Sequence, residues 1–169
     1  MKKLIPAILT CFAPACFVHG AVLSVTFGGG SVPDAGFGSQ TFTGNVAASG
    51  FISKLTVGLV ISGEPGAPAY NGDLYVTLQH GGGFSVLLNR TGRTASDDYG
   101  YGDNGFSVTL DDSGPSAGSY TYNDIHTYQD HSNPGGSALT GTRSADGRNI
   151  HPGSGVETDA RTATLTRFL

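Results

Sequence analysis

Glycine restricts this chain more than any other feature: 27 of its 169 residues are Gly, and 8 more are Pro. Both penalise helix interiors, Gly through backbone entropy and Pro through its missing N–H and ring clash, so a helical bundle is excluded. No Gly-X-Y period runs through the sequence, which excludes collagen. With 38% apolar and only 13% charged residues, the chain is too apolar to stay disordered. Its net charge of -4 and the lack of any Lys/Arg block argue against a nucleic-acid partner, because neutralising phosphates needs clustered bases. What is left is an all-β domain rich in turns.

The first twenty residues read differently from the rest. Met1-Lys2-Lys3 leads into an apolar run at 4–18, broken by Pro6 and Pro14 and followed by Gly20 and Ala21. The run is too short and too interrupted to span a bilayer, and it has the parts of a secretory signal peptide over residues 1–20. The expectation is an exported protein, secreted or held at the cell surface, with one β-sandwich domain over 21–169. Cys11 and Cys16 would leave with the signal, so the core or a bound metal must hold the exported domain without disulfides. Two of the three lysines leave as well, so 13 acids then face 7 bases. No second apolar span follows, so no membrane span is expected.

Short apolar runs bounded by turn residues predict strands at 21–27, 39–46, 52–61, 73–80, 84–89 and 106–110, with weaker patterns at 125–128 and 161–168. In the fourth, Leu74, Val76 and Leu78 alternate with Tyr75, Thr77 and Gln79. Gly81-Gly82-Gly83 then predicts a hairpin into 84–89. In the sixth, Phe106, Val108 and Leu110 point inward. Neither Gly-Gly-Gly triplet continues as a phosphate-binding loop, so both read as turns.

Eleven of the 13 acids are aspartate, and seven of them fall between 97 and 130: Asp97, Asp98, Asp103, Asp111, Asp112, Asp124 and Asp130. Short carboxylates on rigid loops, mixed with backbone carbonyls, suit a hard cation such as calcium, which takes about six to eight oxygen ligands. Crowded like charges would otherwise raise some of their pKa values. The plainer reading is that Asp caps its own backbone in turns. His80, His126, His131 and His151 could join serines and aspartates in a hydrolytic triad on paper, and Gly135-Gly136-Ser137-Ala138 is loosely like a subtilase nucleophile segment. A triad needs a scaffold with an oxyanion hole, however, and a chain of short strands without helices offers no sign of one. The histidines are expected at the surface or at strand ends.

Several stretches taken together resemble the P domain (Homo B domain) of subtilisin-like proprotein convertases. Val32-Pro33-Asp34, the run at 52–61, Gly72-Asp73-Leu74-Tyr75-Val76-Thr77-Leu78 and Phe84-Ser85-Val86-Leu87-Leu88-Asn89-Arg90 follow that family's order. Gly100-Tyr101-Gly102-Asp103-Asn104-Gly105-Phe106, Leu110-Asp111-Asp112-Ser113, Asp124-Ile125-His126-Thr127-Tyr128, Leu139-Thr140-Gly141-Thr142 and Asp146-Gly147-Arg148 look like a bacterial, exported, PEP-CTERM-associated subgroup. The resemblance covers roughly 31–169. It implies a jelly-roll-like, galactose-binding-domain-like β-sandwich that accompanies a protease domain without supplying catalytic residues and often binds calcium. The matching aspartates, Asp73, Asp111, Asp112 and Asp124, are then the expected calcium ligands, with Asp103 beside them. The chain departs from the family in having Ser62-Gly63 where a histidine usually precedes the Gly-Asp-Leu strand. It also lacks the closing strands with their tryptophans and the sorting tail, so the sandwich is expected to be incomplete at its C-terminus. Partners implied are a protease domain or a cell-surface component. The alternative is a surface or matrix module that binds a glycan or protein through Tyr99, Tyr101, Tyr120 and Tyr122.

Overall fold

The computed structural model describes residues 22–32, 39–47, 49–113, 123–154 and 161–169, in two compact units, Met1–Ser49 and Gly50–Leu169. Among the described residues of the first unit no strand forms, although two were expected at 21–27 and 39–46. The segments do approach one another, since a Cβ on Gly44 would meet Val25 at 2.7 Å and Phe27 at 2.8 Å. They nevertheless leave Val22, Leu23, Phe27 and Phe42 exposed. Alternation makes a strand only where a partner covers one face, and among the described residues neither segment has that cover.

The second unit is built of strands, with one-turn 3-10 helices between them. β1 (Thr56–Ile61) pairs antiparallel with β4 (Phe106–Asp111), and β4 pairs in parallel with β5 (Leu139–Arg143), so β4 is the centre of a three-stranded sheet. β2 (Tyr75–His80) and β3 (Gly83–Asn89) form a separate hairpin, joined through Gly81 and Gly82, with Gly81 at φ 55° as a tight turn requires. The register slips by one residue between Val76 and Thr77, which face Leu88 and Val86, so Leu87 is a bulge.

The alternating patterns placed β1, β2, β3 and β4 correctly. β1 begins four residues later than expected, and a 3-10 turn at Asn71–Asp73 replaces the start of the predicted strand at 73–80. The other expectations need correction. At 125–128 the chain turns and enters a 3-10 helix at Tyr128–Asp130, because the Asp124 carboxylate takes the His126 N–H and curls the backbone. At 161–168 a 3-10 helix forms at Leu165–Phe168, its Leu165 N–H held by Asp112. β5 is Leu-Thr-Gly-Thr-Arg, with too little apolar alternation to read as a strand, and pairing with β4 makes it one.

Both sheets face one apolar cluster, which contains Leu87 and Leu88 of β3, Phe106, Val108 and Leu110 of β4, and Leu139 of β5. Ile125, Tyr128 and Leu165 reach the same cluster from the connecting loops, while Val57, Leu59, Ile61, Leu74, Val76 and Leu78 pack against it half-buried. Phe106 is fully buried and Val60, on the outer face of β1, is 80% exposed. Phe106→Ala should therefore cost about 3–5 kcal/mol and Val60→Thr about 0.5 kcal/mol or less in urea unfolding at neutral pH. Equal costs would mean that β1 and β4 do not present these faces.

Candidate functional site

The densest buried chemistry lies where the loops after β4 and β5 meet β3. Residues 145–147 run along β3, with Asp146 N–H donating to Leu87 O at 3.1 Å and Gly147 N–H to Val86 O at 2.9 Å. Val86 N–H in turn donates to Ala163 O at 2.8 Å. This docking carries three carboxylates, two guanidiniums and one imidazole into a single cluster. Asp124 Oδ2 lies 3.1 Å from Arg148 Nη2 and 3.4 Å from Arg161 Nη1. Asp146 Oδ2 lies 2.7 Å from His126 Nδ1, and its Oδ1 lies 3.3 Å from Arg148 Nη1. Arg161 also donates to the carbonyls of Ala145 and Asp146. Asp112 completes the group by accepting Ala145 N–H at 2.9 Å and Leu165 N–H at 2.7 Å.

His126 fixes the charge state of this cluster. Its Nδ1 faces a carboxylate, and its Nε2 faces the Arg93 carbonyl at 3.1 Å. Both partners only accept, so both ring nitrogens must donate and the ring is an imidazolium. Burial opposes that charge, but the hydrogen bond and the charge of Asp146 outweigh it and raise the His126 pKa above its ordinary value. Three cations, His126, Arg148 and Arg161, then balance the three carboxylates. Burial raises the carboxyl of Asp112 despite its two N–H donors, whereas Asp124 and Asp146 overcome the burial of Arg148 and hold it above the usual guanidinium range. Such a cluster adds little net stability when intact, but losing one member strands a buried charge at a cost of about 3–5 kcal/mol.

A second buried group lies at the other end of the loops. Asp103 Oδ2 accepts from the Tyr128 hydroxyl at 2.7 Å and from Gln129 Nε2 at 2.6 Å, and its Oδ1 accepts Gly136 N–H at 2.7 Å. The Tyr128 hydroxyl accepts in turn from Asn71 Nδ2 at 2.9 Å. Burial first, and then the bond to Asp103, push the Tyr128 phenol far above its ordinary pKa. Tyr101 stacks edge-on against Tyr128 with ring centroids 4.7 Å apart. Burial, with the charge of Asp130, pushes its phenol up to about 12.

The five expected ligands thus separate. Asp112 and Asp124 come together around Arg161, and Asp103 sits in the tyrosine group. Asp111 pairs with Lys54 at 2.9 Å, and that bond draws its carboxyl down to about 2. Asp73 is exposed in the 3-10 turn. Among the described residues no group of three or more His, Cys, Asp or Glu side chains is placed to share a metal. A cleft of about 280 Å³ opens between Gly82, Gly83, Phe84, Asn149, Thr162, Ala163 and Arg167, and none of the five aspartates lines it.

Other sequence expectations shift too. His126 is buried, not at the surface, because it bridges two loops. Asp146 and the two arginines escaped the reading of the aspartates, although Asp146-Gly147-Arg148 places opposite charges two residues apart. Of the four tyrosines proposed for a binding patch, Tyr99 is 85% exposed. Tyr101 packs on Tyr128, and Tyr120 and Tyr122 lie outside the described residues. No serine was expected in a Gly-X-Ser-X-Gly segment, yet Gly114-Pro115-Ser116-Ala117-Gly118 fits that pattern; it lies outside the described residues. No family model matches the chain, and neither a curated protein nor a solved structure is found similar to it.

The fold holds the His126 proton more tightly than the unfolded chain does. Its stabilising effect is therefore complete below about pH 6.5, the ordinary histidine value, and is lost as pH rises through the higher folded-state value. The urea midpoint should fall across that alkaline window in the wild type and stay flatter in His126→Gln. Identical pH profiles for the two proteins would place the proton elsewhere.

Proposed function

We propose that this chain is an exported, non-catalytic β-module of the P-domain type, which holds or stabilises a partner such as a subtilisin-like protease domain. One observation carries the reading: among the described residues, the buried carboxylates and His126 bind the module's own loops together, and His126 has both ring nitrogens engaged. His126 and Asp146 resemble two members of a catalytic triad, 2.7 Å apart, but the second ring nitrogen is bound to the Arg93 carbonyl. A general base must offer that nitrogen to a hydroxyl proton. Two sheets around one core are in keeping with a jelly-roll-like sandwich, which the sequence resemblance proposes. A serine-hydrolase probe such as a fluorophosphonate should leave the purified protein unlabelled, and labelling of any serine would overturn the non-catalytic reading.

Calcium belongs to the same proposal, supported by the aspartate loops and the resemblance. Of the five expected ligands only Asp73 is exposed, so the proposal takes Asp73 as the carboxylate that would hold the ion, with loop carbonyls and water completing its oxygen shell. An extracellular-type site of about 1 mM affinity would add about 1.4 kcal/mol in 10 mM calcium, or several degrees in Tm over EDTA. That shift should disappear in Asp73→Asn. A Tm indifferent to both calcium and EDTA removes calcium from the proposal and leaves the module.

The binding-module alternative draws support from Tyr99, which stands on a turn held by Asp97 Oδ1 bonds to the N–H groups of Tyr99 and Gly100 at 3.0 and 3.1 Å. A glycan-array signal abolished by Tyr99→Ala would favour it.

A further inference from the structure

Two Asn-Gly pairs, Asn71-Gly72 and Asn104-Gly105, lie against each other in the core-side loops. Asn-Gly is chemically labile because a glycine nitrogen, with no Cβ beside it, reaches the preceding carboxamide carbon unhindered. The nitrogen attacks Cγ and loses its proton, ammonia leaves, and a five-membered succinimide closes. Solvent water then opens the ring to aspartate or isoaspartate.

The fold requires glycine at both positions. A Cβ on Gly72 would overlap the Tyr99 carbonyl, and one on Gly105 would overlap the Ile61 carbonyl. Gly105 also has φ 90°. The amide at Asn71 is equally constrained, since Oδ1 accepts Gly105 N–H at 2.7 Å while Nδ2 donates to the Tyr128 hydroxyl at 2.9 Å. An aspartate there could not make the second bond, because that hydroxyl already donates to Asp103.

Both reactive nitrogens are held. Gly72 N–H donates to Tyr101 O at 2.9 Å. Gly105 N–H donates to the side chain of Asn71, the residue that opens the other pair, and Asn104 Oδ1 is itself engaged by Ala69 N–H at 2.9 Å. We propose that Asn71 and Asn104 are interlocked deamidation sites, in which the Asn71 carboxamide shields the Asn104-Gly105 bond and loss of the first hold exposes the second. Isoaspartate at 104 would insert an extra backbone carbon before Gly105, one residue ahead of the buried Phe106, and move the start of β4 out of register with Ile61. A chain modified there while unfolded cannot rebuild the sheet, so this pair sets a chemical limit on how long the protein survives open.

The test is peptide mapping of the whole protein aged at mildly alkaline pH, reading the gain of one mass unit and the isoaspartate at each site. Wild-type protein should stay unmodified in buffer and convert at both sites in urea. Asn71→Ser, folded in buffer, should convert Asn104 about tenfold faster or more than wild type, with a matching rise in hydrogen exchange at the Gly105 amide. Leu88→Ala, which lowers global stability but keeps the Asn71 contact, provides the comparison. If Asn71→Ser fails to fold, Tyr128→Phe loosens the same carboxamide and should give a smaller acceleration. Equal Asn104 conversion in buffer and urea for the wild type would overturn the proposal. So would conversion in the folded carboxamide variant no faster than in Leu88→Ala.

Discussion

The rest of the second unit depends on how its buried charges are matched. Arg148 and Arg161 reach Asp124 from two different loops, while His126 joins Asp146 to the backbone at Arg93. Each of these contacts crosses between segments far apart in sequence. Coulomb attraction at such short range in a poorly solvated site is strong, but removing the charges from water costs nearly as much. Displacing any of these loops would therefore leave a buried charge without its partner.

That arrangement determines how the sheets are covered. β3 is buried on both sides because the backbone at 145–147 and at Ala163 pairs with it, and the charges at Asp146 and Arg161 hold those segments in place. Asp112 extends the same principle to the C-terminal 3-10 turn through two backbone N–H groups. The tyrosine group repeats it at the other end, where Asp103 gathers Tyr128, Gln129 and Gly136. In both places a carboxylate takes hydrogen bonds that short loops could not satisfy through regular secondary structure. The abundance of aspartate thus has a structural use whether or not a metal also binds.

The parts of this organisation legible in the sequence were local ones. β2 and β4 announced themselves through strict alternation, and Gly81-Gly82 marked the turn of the hairpin. β5 did not, because Leu139-Thr140-Gly141-Thr142-Arg143 becomes a strand only through its parallel partner, brought alongside by a long connection. Residues 125–128 failed in the opposite direction: Ile125 and Tyr128 are apolar core residues, but one side-chain bond from Asp124 bends the backbone between them. Among candidate site residues, type was readable and partnership was not. Asp103, Asp112 and Asp124 stood out as unusual, while nothing local linked them to Tyr128, Leu165 or Arg161.

The sequence by itself determined an all-β chain with glycine at its turns, several strands of the right phase, and an excess of aspartate in the loops. Those properties follow from backbone entropy, side-chain alternation and short-range capping, which act within a few residues. Only the tertiary structure decided that Asp124 and Asp146 meet arginines, that His126 carries a proton between two acceptors, and that Asn71 guards a glycine 34 residues away. Those outcomes depend on distances between groups remote in the chain and on the loss of water around them. Glycine connects the two levels, since Gly72 and Gly105 are turn residues in the sequence and points of backbone contact in the fold.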